Sequence, residues 1–128
     1  MMVQVTAAAL ASENKTLAHP ASVDTIPTSA NKEDHVSMST TAARKAAMVL
    51  ENAEKILAIE LLCAAQGMEF HRPLKSSSAL EEVHNLIRTQ VPFLKEDREL
   101  HKDINTLLEM MIEGKILSTA ESVIGAIK

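Results

Sequence analysis

Chemistry-bearing side chains crowd into one stretch of this chain, Asn31-Lys32-Glu33-Asp34-His35. An amide, an ammonium, two carboxylates and an imidazole in succession can donate, accept and move protons, or clasp a polar ligand. The stretch lies between a loop punctuated by Pro20 and Pro27 and the start of the longest helical pattern in the sequence. Two physical roles compete for it. At the mouth of a helix Asp34 is a natural cap, and Glu33 and Asp34 are both favoured by the positive end of the helix dipole. Against that stands the loop itself, from His19 to Asp34. A connection of such length without periodicity is uncommon in a compact domain and is often functional.

Other candidate chemistry is sparse. His19, His35, His71, His84 and His101 lack the four-residue pairing and carboxylate spacing of a zinc helix, so no metal site is expected. Gly67, Gly114 and Gly125 are isolated, which leaves no phosphate-cradling loop. Cys63, the single cysteine, cannot form an intrachain disulfide, and its setting in Leu61-Leu62-Cys63-Ala64-Ala65 predicts a buried, inert thiol in a reducing cytoplasm. A net charge of -4 with both signs interspersed argues against nucleic acid or an anionic membrane as partner. The apolar segments fall short of the roughly 20 residues a membrane helix needs. Ala9-Leu10-Ala11 imitates a signal-peptidase site, but no cation precedes it and Gln4 and Thr6 interrupt the apolar run.

The elements that must position the polar stretch read as helices. Of the 128 residues 46% are hydrophobic, with seven Met, two Phe and neither Tyr nor Trp, a makeup suited to closely packed helices rather than strands. The expected fold class is all-α, with a long central helix and shorter flanking helices. The first helix runs from Met2 to about Leu17 and stops before His19-Pro20. A second, from Ser39 to Phe70, would be about 45–50 Å long, with Glu51 and Lys55 as a favourable pair four residues apart. Between Ile56 and Ala65 only Glu60 is charged, so this half needs cover on several sides. Ser78 with Glu81, and Ser118 with Glu121, form capping boxes for two later helices. Leu80, Val83 and Ile87 are expected to face inward on one of these, and Val91-Pro92 to end it. Ile104, Leu107, Leu108, Met111 and Ile112 form the stripe of the helix between them, closed by a left-handed Gly114. Ala120, Val123, Ile124 and Ile127 form the last stripe. These three C-terminal segments read as packing scaffold.

Several motifs in order resemble the histidine ammonia-lyases of the aromatic amino-acid lyase family. They are Ala8-Ala9-Leu10-Ala11-Ser12-Glu13-Asn14-Lys15, Ala18-His19-Pro20-Ala21-Ser22-Val23-Asp24, Ser29 to Met38, Leu57-Ala58-Ile59-Glu60-Leu61-Leu62 and Ala65-Gln66-Gly67. The resemblance is to the C-terminal part of such an enzyme, residues 1–128 forming its helical portion and the electrophile-forming N-terminal part being absent. It implies a cytoplasmic homotetramer built around long helices, eliminating ammonia from L-histidine to give urocanate. It also implies that Glu33 lines the substrate pocket as the catalytic and substrate-binding carboxylate. In the lyases acting on phenylalanine the matching residue looks to be Gln. A carboxylate suits an imidazole, whose ring N–H it can accept or whose charged form it can pair with. Against a phenyl ring a buried anion would be costly.

Lys32 departs from the Gln that such lyases commonly carry there. As a second substrate-binding residue it would hold Glu33 ionised by Coulomb attraction, and it leaves another aromatic amino acid as the alternative substrate. Asn31, Asp34 and His35 are expected to brace the loop by hydrogen bonds to the backbone. The family's methylidene-imidazolone cofactor forms from Ala-Ser-Gly, and its catalytic machinery includes tyrosines. This chain has neither a Ser-Gly dipeptide nor a Tyr, so alone it is expected to be inactive. The expected partners are other copies of the chain through the long helices, and a small amino acid in the whole enzyme. The rival reading is a stand-alone helical oligomerisation module derived from a lyase.

Overall fold

A computed structural model describes residues 1–23, 26–33 and 37–127. Among these residues five α-helices follow in order: α1 (Met2–Leu17), α2 (Ser39–Phe70), α3 (Ser78–Gln90), α4 (Leu100–Ile112) and α5 (Lys115–Ile124), with a short 3-10 turn at Ala21–Val23. Among the described residues there is no strand, only an isolated antiparallel bridge between Thr28 and Glu33. The all-α expectation holds, and α1 and α2 run between the residues read from the sequence. The chain packs as two compact units, Met1–Glu54 and Lys55–Lys128, with α2 contributing to both.

In the first unit α1 half-buries Val3, Ala7, Leu10, Asn14 and Leu17. Their alternating four- and three-residue spacing puts them on one face. The first part of α2 answers with Val49 and Asn52. Buried Asn52 donates through Nδ2 to Glu13 Oε2 at 2.8 Å and to Asn14 Oδ1 at 3.0 Å. Asn14 in turn donates to the Val49 carbonyl at 3.4 Å. No residue of α1 is fully buried. Asp34, the expected cap of α2, lies outside the described residues, as does His35. The Ser37 hydroxyl accepts from the Ser39 N–H at 3.4 Å at this helix start.

The second unit holds the core. Ala58, Leu62 and Ala65 of α2 recur at helical spacing and meet Val83, Ile87, Val91, Leu107 and Met110. Both α3 and α4 pack on α5, which contributes Ile116 and Ala120 to the rim of this cluster. Polar pairs fix the connections. Gln66 exchanges two hydrogen bonds with the backbone of Leu94, at 3.3 and 3.1 Å. Arg98 pairs with the buried Asp103 at 2.8 Å while donating to the Pro92 carbonyl at 2.7 Å.

Several sequence expectations are corrected here. Cys63 is exposed, because α2 turns Leu62 and Ala65 inward and leaves the residues between them outside. Leu80 is 54% exposed, since the inward face of α3 is Ala79, Val83, His84 and Ile87. Likewise Ile112 is 66% exposed, and Leu107 and Met110 carry the buried stripe of α4. Neither capping box forms. Ser77 takes the cap position of α3 without a side-chain bond, and Glu81 accepts instead from the Ser76 N–H at 2.8 Å. Gly114, left-handed as expected at φ 72°, starts α5 directly at Lys115. That places Ser118 and Glu121 inside the helix, where Glu121 accepts from the Ile127 N–H at 3.0 Å. Val123, Ile124 and Ile127 are exposed rather than packed. Glu51 and Lys55 form no ion pair among the described residues.

Candidate functional site

The polar stretch enters the structure as a small closed loop in the first unit. The Thr28 N–H donates to the Glu33 carbonyl at 2.7 Å, and the Glu33 N–H donates back to the Thr28 carbonyl at 3.3 Å. Between them Lys32 N–H reaches the Ser29 carbonyl at 3.2 Å. Closing so short a loop forces Ser29, Ala30 and Asn31 into the left-handed region, with φ of 53°, 55° and 65°. Only Asn among these types enters that region readily. Sustained departures of this kind cluster at functional sites, where surrounding bonds over-determine the backbone.

The loop fixes Glu33 in a definite way. Its Oε2 accepts from the Thr28 hydroxyl at 3.2 Å. Both Glu33 and Lys32 are exposed, and among the described residues neither forms an ion pair. Asn31 belongs to the left-handed turn, while Asp34 and His35 lie outside the described residues. Thr28 is the residue that sequence reading missed. The signal for it was faint: a β-branched hydroxyl residue directly after Pro27, five positions before Glu33.

Nearby in the same unit a cleft of about 700 Å³ is lined by Pro20, Ala21, Ser22, Ser37, Met38 and Ala42, among others. A second of about 370 Å³ lies along Leu17, Pro20, Ala42, Lys45 and Val49. Lys45 Nζ donates to the His19 carbonyl, tying the end of α1's connection to α2. Neither cleft counts Lys32 or Glu33 among its walls. Among the described residues no group of three or more His, Cys, Asp and Glu could hold a metal ion. The methylidene-imidazolone implied by the resemblance does not fit any residue here, because the chain has no Ser-Gly from which it could form.

Helices and loop together define a helical protein that presents a constrained carboxylate just ahead of its longest helix. The family model described as aromatic amino acid lyase matches residues 1–89. Across all 128 residues the chain is 56% identical to the histidine ammonia-lyase of Natranaerobius thermophilus, covering 25% of that protein. The crystal structure of histidine ammonia-lyase from Trypanosoma cruzi matches 92% of this chain with a TM-score of 0.86 and 47% identity, over 23% of its own length. Tyrosine aminomutase from Streptomyces globisporus matches 98% with a TM-score of 0.84 and 36% identity, over 24% of its length. The chain belongs to the aromatic amino acid lyase family. It spans about a quarter of the length of the curated relatives it matches.

Proposed function

We propose that this chain forms one wall of the substrate pocket of a histidine ammonia-lyase, which breaks the Cα–N bond of L-histidine, removes a Cβ proton and releases ammonia and urocanate. The observation that carries this reading is the 56% identity to such an enzyme across the whole chain. Glu33 is the pocket carboxylate. Thr28 engages Oε2, and Oε1 accepts the imidazole N–H of the substrate, a charge-assisted bond that orients the ring. Lys32, its neighbour, adds positive charge at the pocket edge and tunes substrate choice. The likeness to an enzyme named for tyrosine, at 36% identity, keeps another aromatic amino acid as the alternative substrate.

Activation of the amino group belongs to residues outside these 128, so the chain alone has no lyase activity. It self-associates in the cytoplasm through α2, as in the homotetramer the resemblance implies. Exposed apolar side chains on α2 support the self-association. In the second unit Leu57 is 50% exposed, with Cys63 and Ala64 also in solvent. No helix is long and apolar enough to cross a membrane among the described residues. The test is a complete histidine ammonia-lyase carrying these 128 residues in place of its own. Urocanate production from histidine that depends on Glu33 supports the reading. Full activity that is indifferent to Glu33 removes its central residue, and a preference for tyrosine or phenylalanine favours the alternative substrate.

A further inference from the structure

Five charged or titratable side chains interlock in the second unit, far in sequence from the proposed pocket loop. Glu69 lies near the end of α2, Arg72 in the connection that follows, and Glu81, His84 and Arg88 on α3. The spacing of the last three places them along one face of α3. Arg88 donates to Glu69 Oε1 at 2.9 Å, to the Ala65 carbonyl at 2.8 Å and to the Val91 carbonyl at 3.1 Å. Arg72 Nη1 donates to Glu81 Oε2 at 2.8 Å, while Glu81 Oε1 accepts from the Ser76 N–H at 2.8 Å. Hydrogen bonds from Ser76, first, and Arg72 hold the Glu81 carboxyl below its ordinary value of 4.5.

His84 sits in the middle, only 4% exposed. Its Nδ1 lies 3.2 Å from Arg72 Nη2. On the other edge Nε2 lies 3.2 Å from Glu69 Oε1, off the line of a hydrogen bond, and it has no hydrogen-bond partner among the described residues. A guanidinium can only donate, so Nδ1 must offer its lone pair and the ring proton resides on Nε2, facing the Glu69 carboxylate. In that state two guanidinium groups and two carboxylates balance around a neutral ring. A second proton would set an Nδ1–H against an Arg72 N–H and leave one positive charge in excess at a nearly closed site. The charged side chains of α5 do not offset it, since Lys115 pairs with Glu113 and Glu121 bonds to the Ile127 N–H.

We propose that His84 is a proton-operated latch: as a neutral Nε2–H ring it holds Arg72 in place, and a second proton expels Arg72 and frees the 72–77 connection from α3. Glu81 does not obscure the readout, because its own titration falls below 4.5. The test is nitrogen-15 NMR of the full chain, following the His84 ring, the Arg72 side chain and the Ser76 N–H. As pH falls from about 8 while staying above the 4.5 below which Glu81 titrates, the three signals should move with one midpoint. The ring should start as the Nε2–H tautomer. In His84→Asn, whose amide oxygen can replace Nδ1 as acceptor, the Ser76 signal should stay fixed over that range. An Nδ1–H tautomer at pH 8 overturns the proposal. So does a ring that charges without moving Arg72 and Ser76, or one that stays neutral down to acid unfolding. These wild-type readings decide the matter even if the variant does not fold.

Discussion

Replacing Glu33 by Gln asks whether the loop's carboxylate does chemistry or merely decorates a helix entrance. The substitution is close to isosteric and spares the loop, because the bonds closing it run between the backbones of Thr28 and Glu33 rather than through the side chain. The Gln carbonyl can still accept from the Thr28 hydroxyl that now engages Oε2. Its amide nitrogen then stands where Oε1 was, a donor facing the imidazole N–H donor of histidine. The loss is a charge-assisted hydrogen bond, about 1.5–3 kcal/mol. At about 1.4 kcal/mol per decade of rate, that is roughly a ten- to hundredfold fall in turnover of histidine. The assay is urocanate formation by a complete enzyme carrying this segment, alongside circular dichroism and assembly state, both expected to be unchanged. Kinetics within twofold of the parent would refute the pocket role and return Glu33 to the helix entrance.

Thr28→Val in the same enzyme should lower kcat/KM for histidine several-fold, and Thr28→Ser should restore most of it; equal losses in both variants would show that the hydroxyl is not what matters. Leu107→Ala should destabilise the isolated chain by about 2–5 kcal/mol in urea unfolding, because Leu107 is fully buried at the centre of the second unit; a cost under about 1 kcal/mol would show that this core collapses around the gap. Glu81 has a folded-state pKa below 4.5, so the unfolded chain takes up its proton first as pH falls; its contribution to stability is present above 4.5 and is lost as pH drops through the lowered value. Glu81→Gln should therefore flatten the stability profile in that acid range, and an unchanged profile would contradict it. Leu57→Lys should shift the isolated chain toward smaller species in light scattering with helicity retained, whereas unchanged association would place the self-contact elsewhere.

Long-range pattern was legible in the sequence, and local punctuation less so. Pro20 and the Ala-rich run before it mark the end of α1, and sustained periodicity marks both ends of α2. Gly114 was read as left-handed and is. The same glycine defeats the Ser118 cap, because a helix that starts at Lys115 has already passed Ser118. A Ser followed three residues later by Glu is a signal of only four residues, and in this chain Ser118 and Glu121 carry it inside a helix. The thiol of Cys63 shows a related limit. Apolar neighbours in sequence suggest burial, but a helix of 3.6 residues per turn sends Leu62 and Cys63 in directions about 100° apart. The cluster around His84 stayed hidden for another reason. Its α3 members have a readable spacing, but Glu69 and Arg72 join them only once the connection folds back.

The loop from Thr28 to Glu33 carries the least legible feature of all, a left-handed run of three residues without a glycine. Each such residue costs roughly 1–2 kcal/mol against its ordinary backbone, less for Asn31. Four hydrogen bonds close the loop: two between the Thr28 and Glu33 backbones, one from Lys32 to Ser29 and one from the Thr28 hydroxyl to Glu33. At about 0.5–1.5 kcal/mol net apiece, they roughly match the strain. The balance explains why residue identity on this loop reveals so little of its shape, since no single residue demands the turn. It also explains what the turn achieves. Glycines would adopt the same path without strain but would leave the unfolded loop far more freedom to lose. Ser29, Ala30 and Asn31 restrict it, so backbone closure sets the point from which the exposed Glu33 side chain departs.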